Sequence, residues 1–302
     1  HLDQRKQPGT QHWKQSKDRK RLFVSGSHQY QKQLPMRGWT MSRSVMDLKE
    51  VCLELCAGGI LIKAMELVKL PNYQSLDPVE FLYECLVSEA ARRQTRKVAT
   101  RIKKSACFYP DACIENTLYA PDRNLNRGLI ERLAGCDWIR NGEHCVITGA
   151  TGSGKTWLAS ALMNAAIRAG FRAKYYRVND LLLEYAESAS NTTLRTSKKK
   201  QLNRYHLLMI DEFGLGGLTA NQRADLLEII NERTREGGKS VIVTSVFPVD
   251  VWASCIGDVS FSDSILDRLI HRAWRLNLEG PSMRSRTECG ALEDPYGKKL
   301  KP

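Results

Sequence analysis

The stretch with the least side chain ends in a cation: VITGATGSGKT, residues 146–156. Gly149, Ala150, Thr151, Gly152, Ser153 and Gly154 are small enough for the backbone to wrap an anion with its N–H groups turned inward. Lys155 and Thr156 follow, completing the spacing G-x-x-x-x-G-K-[ST]. An apolar run precedes this loop and a helix-forming run follows it, so the helix's positive end faces the same anion. These residue types predict a nucleoside triphosphate held by its phosphates. Lys155 reaches the β- and γ-phosphates and the Thr156 hydroxyl binds Mg²⁺.

Holding a triphosphate is not hydrolysing it. The run LLMIDE supplies the missing chemistry, ending in Asp211 and Glu212. A carboxylate at the tip of a buried strand suits Mg²⁺, a role that falls to Asp211. Glu212 is placed to orient or deprotonate the attacking water. The run SVIVTS ends in Thr244 and Ser245, candidates to sense the γ-phosphate or position water from a neighbouring strand tip. In SILDRLIHRAWRLNL an arginine is expected to complete a neighbouring subunit's site by stabilising transition-state charge. Arg268 is the first candidate, with Arg272 and Arg275 as alternatives.

Positioning these groups requires a parallel sheet. Short apolar runs at 144–148, 173–178, 205–210, 240–245 and 274–278 alternate with helical patterns such as KTWLASALMNAAIRAG and TANQRADLLEIINERTREG. Strands apolar on both faces and separated by helices form a largely parallel sheet covered on both sides. Ahead of it, residues 46–118 read as a small all-helical domain, with the ATPase module at 119–302. There Asp47 caps a first helix, Gly58-Gly59 break it, and Ser75 or Asp77 with Pro78 starts a third. That third helix carries an apolar stripe of Phe81, Leu82, Cys85 and Leu86 before it turns basic. Residues 1–45 are rich in Gln, Lys, Arg and Ser, the mix that stays disordered, and read either as a basic DNA-contacting arm or, the favoured reading, as sequence upstream of a start at Met36, Met41 or Met46.

Composition narrows the partners. The formal net charge is +13, from 46 Lys and Arg against 33 Asp and Glu. An acidic polymer is the matching partner class. Two segments concentrate the charge: Arg92, Arg93, Arg96, Lys97, Arg101, Lys103 and Lys104 on one helix, and Arg195, Lys198, Lys199, Lys200 and Arg204 in a polar stretch read as a DNA-facing loop. No base-reading motif accompanies them, so backbone and shape contacts are expected. Nine cysteines without a CxxC pair point to reduced thiols rather than a disulfide framework or zinc site. With no apolar run long enough for a membrane span, a cytoplasmic protein without membrane contact is expected.

The ordered stretches GATGSGKTWLASAL, LLMIDEFGLGGLTANQRADLLEIINER, SVIVTSVFPVDVW and ILDRLIHRAWRLNLEGPSMR resemble the IstB family, the AAA+ helper ATPases of bacterial insertion sequences. The likeness runs from about Met46 to Arg286. It implies an AAA+ module with a five-stranded parallel sheet, ATP and Mg²⁺ as cofactors, assembly into a homo-oligomer on double-stranded DNA, and cooperation with a transposase of the DDE integrase type. Carried onto this chain, Lys155 and Thr156 match nucleotide and Mg²⁺ binding, Asp211 and Glu212 the second motif, and Arg268 the finger. Trp157, Val246 and Thr234 depart from the family pattern without removing a catalytic group. The alternative is a DnaC-type replicative helicase loader, which shares the core but acts on single strands.

Overall fold

The computed structural model describes residues 45–72, 75–235 and 238–283, so nearly all of the basic opening segment lies outside the described residues. The chain forms two compact units that divide between Glu89 and Ala90. The first unit holds α1 (Val45–Glu54), α2 (Gly58–Leu67) and the opening turns of α3 (Pro78–Ser105). Its core is small: Ala64, Leu67 and Cys85, with Ile60, Leu76 and Phe81 laid against them. Leu82 and Leu86 of the expected apolar stripe are exposed.

Gly58 and Gly59 open α2 instead of breaking a helix, and the turn falls at Cys56, whose φ is +50°. Gly59 is needed for close approach, because a Cβ there would stand 2.7 Å from Glu89 Cα. Its N–H donates to Glu89 Oε2 at 2.7 Å. Asp47 lies in the first turn of α1, where its charge favours the positive helix end. Asp77 caps α3, accepting from the Glu80 N–H at 3.3 Å.

The second unit begins inside α3, not near residue 118, for a packing reason. Val98, Ile102, Cys107, Ile114 and Tyr119 lie against the core of the ATPase sheet. After α3 come α4 (Arg127–Ala134) and α5 (Asp137–Arg140). Then follow β1 (His144–Gly149), α6 (Lys155–Arg168), β2 (Ala173–Arg177), α7 (Val178–Ala186), α8 (Thr192–Asn203) and β3 (Leu207–Asp211). The chain continues through α9 (Ala220–Thr234), β4 (Ser240–Ser245), α10 (Trp252–Ile256), α11 (Val259–Ile270) and β5 (Ala273–Leu278). Among the described residues no helix is long and apolar enough to cross a membrane.

The five strands are parallel in the order β2-β3-β4-β1-β5. Side chains alternate across the sheet, as period two demands. Cys145, Ile147, Leu207, Met209 and Ile242 meet α6 and α4 on one face, through residues such as Leu162 and Ile130. Val146, Leu208, Ile210, Val241 and Val243 meet α7, α9 and α11 on the other. Since β4 lies between β1 and β3, the C-terminal tips of these three strands are neighbours. The sheet order therefore brings together groups distant in sequence.

The stretch from 192 to 203, expected as an open loop, is helix α8. The Asn191 side chain starts it by accepting from the N–H groups of Thr193 (2.7 Å) and Leu194 (3.3 Å). Leu202 anchors its far end in the core.

Candidate active site

The phosphate loop joins β1 to α6. Two of its glycines are sterically required. Gly149 has φ +141°, and a Cβ there would lie 2.2 Å from Leu278 O on the adjacent strand β5. Gly154 has φ +92° at the N-cap of α6, a left-handed conformation that ordinary side chains resist. Lys155 is largely buried, and its Nζ donates to Ala150 O at 2.8 Å, so the ammonium already sits inside the loop's curve.

Asp211 stands across from the loop. Thr156 Oγ1 donates to Asp211 Oδ1 at 3.1 Å, Thr244 Oγ1 donates to the same oxygen, and Tyr175 Oη donates to Oδ2 at 3.1 Å. Burial, then the Asp211 charge, pushes the Tyr175 phenol up, so it keeps the proton it donates. A carboxylate facing a threonine hydroxyl at the mouth of a phosphate loop is a hard-oxygen donor set of the kind Mg²⁺ takes alongside phosphate oxygens. The fit to Mg²⁺ is therefore good.

Glu212 follows immediately but points elsewhere. Its φ is +62°, unusual for a residue with a side chain, and this turn carries the carboxylate out of the sheet to 48% exposure. There it lies 3.6 Å from Arg177 Nε at the tip of β2. The Glu212 N–H donates to Thr244 Oγ1 at 3.3 Å, so Thr244 links both acidic residues. Ser245, the other sensor candidate, donates its hydroxyl to Phe213 O at 2.7 Å and is fully buried. It braces the turn that aims Glu212.

A cleft of about 550 Å³ unites these groups, lined by Thr151, Gly152, Gly154, Lys155, Thr156, Asp211, Glu212, Thr244 and Ser245. Tyr109, Asn116, Leu118 and Arg123 close one side from the segment ahead of α4, and Met283 enters from the segment after β5. Two buried side chains hold that first segment. Asn164 on α6 donates through Nδ2 to the carbonyls of Tyr109, Pro110 and Ala112 at 3.0, 3.1 and 3.0 Å. Arg123 donates to Leu118 O at 2.7 Å and to Ser153 O in the phosphate loop at 2.8 Å.

Arg268 does not line this cleft. It is exposed near the end of α11, with Nη1 donating to Ser264 O at 2.5 Å. Arg272 donates to Asn141 O at 2.9 Å, and Arg275 is exposed on β5. Sequence reasoning missed Tyr175, Arg177, Arg123 and Asn164. For Tyr175 and Arg177 a signal existed: they alternate onto one face of β2, and the register sets Arg177 beside Asp211. Arg123 and Asn164 carry no local signal.

Of the expected DNA-contacting residues, Arg93, Arg96 and Lys97 are exposed and Arg92 is half-buried. The α8 group divides. Lys198 is buried and paired with Glu184, and Lys199 pairs with Glu228, so these two cations are engaged within the fold; Lys200 and Arg204 are exposed.

A parallel sheet ordered β2-β3-β4-β1-β5, with a phosphate loop facing an acidic strand tip two places away, is the arrangement of AAA+ P-loop proteins, and this chain is an ATPase of that class. Within the class, its sequence matches the family of IstB-like ATP binding proteins over residues 53–291. The chain belongs to that family. It is 38% identical over 205 residues to the insertion sequence ATP-binding protein y4uH of Sinorhizobium fredii, spanning 68% of this chain and 81% of that protein. It is 36% identical over 199 residues to the insertion sequence IS1162 ATP-binding protein of Pseudomonas fluorescens, spanning 65% of this chain and 83% of that one. Among solved structures it is similar to the DnaC helicase loader, with a TM-score of 0.49 and 19% identity over 57% of this chain and 98% of that one.

Proposed function

We propose that this chain is the ATP-hydrolysing helper of a DNA transposition system, acting in the cytoplasm, assembling on duplex DNA and cooperating with a DDE-type transposase. The observation that carries the reading is the Thr156–Asp211–Thr244–Glu212 constellation in a chain whose relatives are insertion sequence ATP-binding proteins. Mg²⁺, held by Thr156 and Asp211 alongside the phosphates, supplies charge neutralisation when bound. The chain's own groups do the rest. Lys155 holds the β- and γ-phosphates, and Glu212 takes a proton from the attacking water. The water oxygen bonds to the γ-phosphorus as the bond to the β–γ bridging oxygen breaks, leaving ADP and phosphate. Arg268 is exposed and outside its own subunit's cleft, the placement that a finger acting on a neighbouring copy requires.

The test is light scattering of purified protein with duplex DNA, with and without ATP. The particle should grow only when both are present. Lys155→Ala should abolish nucleotide binding and growth together. Glu212→Gln should keep ATP, lower turnover by about 10²-fold or more, and trap the DNA-bound oligomer. Normal turnover by Glu212→Gln would remove Glu212 from the role of base. No size change in the wild type would overturn the assembly reading.

A further inference from the structure

At the edge of the sheet opposite the nucleotide cleft, three strands begin side by side. Ala173, Leu207 and Ser240 are in register across β2, β3 and β4. The residues just ahead of them, Arg172, His206 and Lys239, therefore form a row. Backbone bonds fix it: the His206 N–H donates to Arg172 O at 2.8 Å and the Ser240 N–H to His206 O at 2.9 Å. With strands about 4.8 Å apart, this row spans roughly 10 Å.

Helix α3 brings its basic end to the same edge. Arg101 Nη1 donates to Gly170 O at 2.9 Å, and Lys174 Nζ approaches Lys104 O at 3.5 Å. Among the described residues no carboxylate lies within 4.0 Å of the charged atoms of Arg101, Lys104, Arg172, Lys174 or Lys239. The field is visible at the central histidine: burial first, and then Lys239, Arg172, Arg101 and the buried Arg233, push His206 down from its ordinary value.

We propose that this rim, formed by Arg101, Lys104, Arg172, Lys174 and Lys239, is a contact surface for the phosphate backbone of duplex DNA. The inference rests on the DNA-binding reading above and assigns it a place not evident from the charge runs alone. Three features favour a duplex backbone over other polyanions. Arg101 and Lys174, bonded to backbone carbonyls instead of carboxylates, keep their full charge for a partner. Phe171 is approached by Arg140 at 5.5 Å and by His206 at 5.7 Å, and Tyr176 lies under Lys174 at 5.4 Å, so neither ring offers an open platform for stacking unpaired bases. No large apolar side chain of residues 93–107 or 168–174 is exposed, which disfavours a membrane or an apolar protein groove.

The experiment uses the full chain and fluorescence anisotropy of a labelled 30-base-pair duplex over a range of salt. Arg172→Gln, Lys174→Gln and Lys239→Gln are combined in one variant, with ATP binding as the check that the ATPase unit is folded. Three lost phosphate contacts should reduce the slope of log K against log salt by about 3 and weaken binding by tenfold or more. Equal slope and affinity in variant and wild type would overturn the rim while leaving the DNA reading intact, and would leave these cations to an acidic protein. Tighter binding of the wild type to a single strand than to the duplex would also overturn it. A wild type with no duplex affinity would overturn both.

Discussion

The two basic stretches of this chain look alike as sequence and differ as structure. On α8, Arg195 reaches Glu228 at 2.8 Å and Asp225, while its guanidinium covers the Tyr185 ring at 3.7 Å. Lys198 and Lys199 have carboxylate partners of their own. Burial alone would raise the Glu228 carboxyl, but Lys199, the Tyr185 hydroxyl and Arg195 outweigh it and hold Glu228 below the usual range. At the rim, Arg101 meets the Gly170 carbonyl, and Lys174 meets the Lys104 carbonyl and the Tyr176 ring. A run of positive residues is thus a field only where the opposing helix lacks acids. Helix α9 brings Asp225, Glu228 and Glu232 to α8, whereas among the described residues no carboxylate lies within 4.0 Å of the rim cations.

The strongest way to break this contrast is at Arg233, the most internal cation. It is 1% exposed and donates to the carbonyls of Leu202, Tyr205, His206 and Ser240. Burial pushes its pKa down to about 9. Replacing it with Leu removes the side-chain donor these four carbonyls share and should lower unfolding free energy in urea by about 3 kcal/mol or more. A loss below about 1 kcal/mol would mean that the charge is not needed inside.

Next comes His144, buried at the start of β1, where its Nδ1 accepts the Val241 N–H at 3.2 Å. Burial, then Arg233 and Arg272, pushes its pKa to about 4 from an ordinary 6.5. Above pH 6.5 neither folded nor unfolded chain binds the proton, and the stabilisation is complete. As pH falls from 6.5 to 4 the unfolded chain binds it first, and up to about 3 kcal/mol is lost. Thermal melts across that window should show the loss, and His144→Asn should flatten it. Unchanged pH dependence would mean that the buried imidazole is not the group responsible.

Smaller effects sharpen the contrast from the DNA side. Lys198→Met should lower stability by about 1 kcal/mol yet leave duplex affinity within about twofold, because its charge already has a partner in Glu184. A tenfold loss of affinity would return α8 to the DNA surface. Finally, NMR titration of His206 should show its pKa rising when duplex is added, as phosphates offset the neighbouring cations. No movement would separate the rim from the bound DNA.

What the sequence made legible follows the range of each interaction. The phosphate loop, Asp211 and the strand runs are local patterns, and their elements stand within a few residues of expectation. Groups held by distant partners were opaque. Tyr175 is 36 residues from Asp211, Arg123 is 30 from Ser153, and Asn164 is more than 50 from the carbonyls it gathers. Helix α8 hid because Leu194 and Leu202 are its only large apolar residues, too few to show a period. The division between Glu89 and Ala90 leaves no mark in the local pattern, because it falls inside one unbroken helix, α3, with Phe81 and Cys85 in one core and Val98 and Ile102 against another.

The left-handed backbone at Glu212 has a consequence for how this enzyme can change. Glycine would adopt φ +62° without strain, so a Glu212→Gly chain would shed roughly 1 kcal/mol of backbone strain but lose the carboxylate and gain about as much unfolded-chain entropy. Removing the side chain therefore gains the fold little, and the ion pair with Arg177 at the tip of β2 is lost with it.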